Sequence, residues 1–187
     1  MSQVKDLVPA GYMAKKVSMA PARLAAVATQ IYSVSDCLSK PFCQFISHWQ
    51  HNGFWFFDSP AVIAAVAREE GVELAAHRMF YYEVHGRQFD EQTESWQPVV
   101  VDASIGTQVV APSRSRLEGF DVVTFSAGTG PECSPLSCNY LAEAIAVNEN
   151  CLLTSFDEAR RLLEAGAFAH SEPGPFRIFA VHSCASV

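Results

Sequence analysis

Short matches recur along this chain at a nearly constant separation, and a recurrence of that kind constrains architecture more than any single motif does. Ala20-Pro21 returns 91 residues later as Ala111-Pro112, and Arg23-Leu24 returns after 93 as Arg116-Leu117. Ile31-Tyr32-Ser33 matches Thr124-Phe125-Ser126 at 93, Cys43 matches Cys138 at 95, and Asp36-Cys37 matches Glu132-Cys133 at 96. Asp58-Ser59 meets Thr154-Ser155 at 96, and Val84-His85 meets Val181-His182 at 97. The separation drifts mostly one way, as small loop insertions would make it drift. The order of matches is the warrant, because separate levels of the sequence then agree.

Each half reads as the same series. A short strand (16–19; 107–110) precedes the Ala-Pro pair, and a second strand follows (27–34; 120–126). The run Phe120-Asp121-Val122-Val123-Thr124-Phe125 is β-branched and aromatic, as a buried strand is. A helix is expected to open at Pro41 and at Pro135, where the missing donor is harmless, with Ser134 as the second cap. A third strand covers 54–57 and 151–153. Ser59 and Ser155 then cap a second helix that stops at Gly71 or Gly166, and Glu158 completes a capping box. Strands at 79–85 and 176–182 close the units.

The expected fold is therefore α/β, or α+β, built as a tandem internal duplication of a ββαβαβ unit. The two copies pack with pseudo-two-fold symmetry. The first covers 1–90, a polar connection 91–106, and the second 107–187. Strand–helix–strand steps favour parallel neighbours.

Composition narrows the function classes. Apolar residues are 49% of the 187 and charged residues 18%, against a usual charged share of about 25%. Such a chain can bury a core and is not disordered. The net charge of −7 argues against nucleic acid, whose phosphates need a basic face. No apolar run approaches the ~18 residues of a membrane span. The first residues lack an apolar stretch behind their charges, so a cytoplasmic location with six reduced cysteines is expected.

Candidate chemistry centres on the loop 128–139, between a strand and an expected helix. Gly128, Thr129, Gly130, Glu132, Ser134 and Asn139 are the candidate ligand-binding residues, because helix N-termini and flanking glycines suit a ligand. Cys133 is the candidate nucleophile, favoured by a helix N-terminus and disfavoured by Glu132. His85 and His182, ending the closing strands, are its candidate bases. Metal-ligand spacing is poor. Cys133 and Cys138 lie at its edge, and His48 and His51 share one helical face without an HExxH pattern. No metal and no cofactor is expected.

Three functions follow in order of preference. The first is a cytosolic, non-enzymatic interaction protein of adaptor, inhibitor or immunity type, with an unknown protein or small-molecule partner and homo-oligomers allowed. The second is a small cysteine- or histidine-dependent enzyme sited at loop 128–139 or between the copies. The third is a thiol-based redox sensor.

Overall fold

Aromatic and branched residues alternate along two stretches far apart in sequence, and these become the central strands of one sheet. The computed structural model describes residues 6–35, 54–100, 108–125 and 131–184. In chain order the elements are β1 (Leu7–Lys15), β2 (Ser18–Met19), β3 (Gln30–Ile31), α1 (Pro60–Glu70), β4 (Arg78–His85), β5 (Arg87–Asp90), β6 (Ser95–Pro98), β7 (Ser115–Thr124), α2 (Phe156–Glu164) and β8 (Phe176–Cys184). β4 and β8 pair antiparallel, with Tyr82 opposite Val181. β1 pairs with the other side of β4, and β7 with the other side of β8. β5 follows β4 after Gly86, meets β8 at Phe89–Phe176, and forms a hairpin with β6. β2 and β3 make a separate two-stranded ribbon.

Both sheet faces are buried. Phe179 and Val181 of β8 join Phe80, Tyr82 and Val84 of β4 in one core, which includes Ile63, Val66 and Ala67 of α1. Phe176, Ile178 and Ala180, on the opposite face by the alternation of a strand, join Ala159 and Leu163 of α2 in a second core.

The helix signals act as the sequence suggests. Ser59 Oγ accepts from the Val62 amide at 3.3 Å, Pro60 occupies the first turn, and Gly71 ends α1 at φ 69°. Ser155 Oγ accepts from the Glu158 amide at 3.2 Å. The second half of the expected capping box is different: Glu158 accepts instead from the Thr154 hydroxyl at 3.1 Å.

β1 and β7 share a construction. Each carries a register shift at a glycine of positive φ, Gly11 (135°) and Gly119 (152°). Each is bridged antiparallel just past that glycine, Tyr12 to Phe57 and Phe120 to Leu153. Two residues after each bridging partner stands the serine that caps α1 or α2, and β4 or β8 follows.

Several expectations are corrected. The paired strands are antiparallel, not parallel. Phe57 and β4 do run the same way across α1, but β1 lies between them; β7 separates Leu153 from β8 in the same manner. Among the described residues the ββαβαβ unit is not seen. Within 27–34 only Gln30–Ile31 is strand, and 108–110 is irregular. No α-helix starts at Pro135. Ser134 Oγ is taken by Asp121 and Asn139 by Cys133 and Glu172, Tyr140 turns left-handed at φ 61°, and only the short 3-10 turn Leu141–Glu143 follows. The polar connection contributes β6, which forms a hairpin with β5 of the preceding segment. The helix expected from Pro41 lies outside the described residues.

Candidate functional site

The last residue of β1 and the middle of β7 each place a charged side chain where a strand normally carries an apolar one. Lys15 is 2% exposed and Asp121 0%. An isolated buried charge is costly, so both need partners. Lys15 Nζ donates to the carbonyls of Ser33, Val34 and Ser35, each at 2.6 Å. Asp121 Oδ2 accepts from the Val34 amide at 2.7 Å, and Oδ1 from Ser134 Oγ at 2.6 Å. The Ser134 amide donates to Ser35 Oγ at 3.2 Å, and Ser35 Oγ lies 2.9 Å from Ser33 Oγ. Two buried charges thus pin segment 33–35 and the loop after Pro131 to the sheet and to each other.

Burial pushes the Asp121 carboxyl up to about 6, against the lowering effect of Ser134 and Val34. Cys138 adds to the rise and Lys15 opposes it. The Cys151 thiol is pushed up by burial to about 12, with Asp121 and Cys138 adding to it. The Tyr82 hydroxyl is buried close by and has no hydrogen-bond partner among the described residues.

The loop 131–139 is closed by its own bonds. The Glu132 amide donates to the Thr124 carbonyl, the Cys133 amide to Thr124 Oγ1, and the Ser134 amide to Ser35. Ser134 is therefore a buried donor to Asp121, not a helix cap. The Cys133 thiol is buried and donates to Asn139 Oδ1 at 3.4 Å, while Asn139 Nδ2 donates to Glu172 at 2.9 Å. Cys138 Sγ lies 3.5 Å from Ser35 Oγ. Cys133, Ser134, Cys138 and Asn139 are gathered here, with Glu132 beside them. Gly128, Thr129, Gly130, His48 and His51 lie outside the described residues.

The two candidate bases lie elsewhere. Cys133 bonds to Thr124, which faces Phe176 at the start of β8. His182 is six residues further along β8, roughly 20 Å at about 3.3 Å per residue. Its Nε2 is 3.2 Å from Glu83, which also accepts from the Tyr81 hydroxyl at 3.4 Å. His85 sits on β4, two strands from β7, edge-on to Trp96 and Phe156. Among the described residues no three His, Cys, Asp or Glu side chains are placed to hold a metal ion. No described helix is long and apolar enough to cross a membrane.

No family model, curated protein or solved structure matches this chain. Sequence reading missed Lys15, Ser35 and Tyr82. Asp121 had left a signal: a carboxylate inside an apolar, β-branched run must be exposed or must be bonded, and here it is bonded.

Outside this network a surface rim surrounds the loop. Arg23 forms a two-pronged pair with Glu143 at 2.6 and 2.8 Å and lies 4.6 Å over the Tyr140 ring. Both charges of that pair are exposed.

Proposed function

We propose that this chain acts by binding a partner through the outer side of the loop 131–143, and that its cysteines there are structural. The observation that supports this reading is the clamp: Asp121 and Lys15 hold segment 33–35 and the loop in one arrangement before any partner arrives. A loop fixed in advance loses little freedom on binding, which is how rigid scaffolds present recognition residues. The rim then offers Glu132, Asn139, Tyr140 and the Arg23–Glu143 pair, a mixture of aromatic and charged groups suited to a protein surface. A cytoplasmic setting fits this reading, with the thiols reduced and serving as small buried groups.

We also infer that the two halves are copies of one ancestral unit, shorter than the sequence pattern suggests. The unit runs from a glycine-bulged strand through a bridged residue, a capping serine and a helix to a central strand. The support is that this order occurs twice, with Tyr82 and Val181 paired at the middle.

The binding reading is tested by retention of soluble proteins on the immobilised chain, alongside a Glu132→Arg, Tyr140→Ala variant of unchanged melting temperature. A species held by the natural chain and released by the variant is expected. A turnover activity that disappears in Cys133→Ser, with the melting curve unchanged, contradicts the reading.

A further inference from the structure

At the opposite end of β4 two arginines line one cleft. A cleft of ≈ 410 Å³ is lined by Asp6, His85, Arg87, Ser95, Trp96 and Arg160. We propose that this cleft binds a small oxyanion, a carboxylate or a phosphate, between the guanidinium groups of Arg87 and Arg160.

The arginines are held in place before a ligand enters. Arg87 donates one N–H to the Trp96 carbonyl at 2.6 Å. Arg160 Nε donates to Glu164 Oε1 at 2.8 Å, and the Trp96 indole donates to the same oxygen at 2.9 Å. Arg160 also lies 5.8 Å over the Trp96 ring. One carboxylate thus fixes both the wall and one cation. Among the described residues these are the hydrogen bonds that the two guanidiniums make, and a planar fork suits an oxyanion held by two parallel bonds.

The rest of the cleft selects for size. Trp96 is already packed against His85 and Phe89, at 5.4 and 5.3 Å, so its ring is a wall and not a stacking platform for a large aromatic ligand. Burial, the largest influence on His85, pushes its imidazole below the ordinary 6.5, so near pH 7 it is uncharged. The charged residues lining the cleft are Arg87, Arg160 and Asp6, and Glu164 pairs with Arg160 behind it. They nearly balance, so recognition rests on hydrogen-bond geometry and the affinity is modest.

The test is a titration of the full ¹⁵N-labelled chain with inorganic phosphate and, separately, with acetate, at constant ionic strength. The Trp96 indole and the Arg87 and Arg160 Nε–H signals are followed. A saturable shift with either probe is expected, and the stronger probe identifies the anion. Arg87→Gln should weaken that binding at least tenfold, and Arg87→Lys, which keeps the charge and loses the fork, nearly as much. Arg78→Gln, outside the cleft, should leave it unchanged. Absence of a saturable shift with both probes, or equal binding by Arg87→Gln and the natural chain, overturns the proposal.

Discussion

Asp121 sits in the middle of β7 and ties it to two distant segments. Its carboxylate is fully buried, bonded to a backbone amide and a hydroxyl, and pushed up from an ordinary 3.8 to about 6. A folded-state value above the unfolded one means that the fold holds this proton more tightly than the unfolded chain does. The stability gained from it is complete below 3.8 and is lost as the pH rises through about 6. Asparagine mimics the protonated group. Denaturant unfolding across pH 4 to 8 should therefore show the natural chain losing stability relative to Asp121→Asn as the pH rises. A difference that stays constant, or that grows in favour of the natural chain, contradicts the raised value. Lys15 holds segment 33–35 in place through its three carbonyl bonds.

Among the elements, the bulged strands decide the topology. A side chain at Gly119 would place its Cβ 2.7 Å from the Leu153 carbonyl and 2.8 Å from the Leu152 Cβ, at a φ of 152° that other residues rarely adopt. Gly119→Ala should cost about 1–3 kcal/mol in thermal or denaturant unfolding. A loss well under that range would mean that Leu153 moves aside freely. The same bulge explains what sequence could and could not reveal. Capping serines, terminal glycines and the closing strands were legible, because each depends on residues near in sequence: Ser59 with Val62, Ser155 with Glu158, Gly71 after Ala67. Strand direction was not. It depends on β1 entering between Phe57 and β4, and β1 contains Pro9 and Gly11, which read locally as strand breakers. The strand expected at 27–34 shrank for a related reason. Thr29, Gln30 and Tyr32 donate to carbonyls at 149–150, and the Val34 amide to Asp121, so its ladder is replaced by distant partners. In the loop, Cys133 bonds to Asn139 nearby, but the buried lysine that helps to fix the region comes from more than a hundred residues away.

For the whole molecule, the sheet carries the described cores on its two faces. One face carries α2 and its core; the other carries Phe80, Tyr82, Phe179 and Val181. The outer edge of β7 is covered, since Leu153 bridges Phe120, and the Glu132 amide and Cys133 carbonyl bond to Thr124. Covered edges keep such a sheet from pairing with other chains. The oxyanion cleft lies beside the β5–β6 hairpin and α2, and the clamp lies along β7 and the end of β1. Because the two regions share no residue, Arg87→Gln and changes at the clamp should leave each other's properties intact.

The central claim, that buried charges hold two distant segments as one prearranged surface, is most directly tested by hydrogen exchange at the Val34 and Ser134 amides. The first donates to Asp121 and the second to Ser35. In the natural chain both should exchange nearly as slowly as the β4–β8 amides. In Asp121→Ala both should speed up together, while the β4–β8 amides stay slow relative to that variant's own global stability. Fast exchange at both in the natural chain, or loss of protection at one without the other in the variant, would show that no such clamp exists.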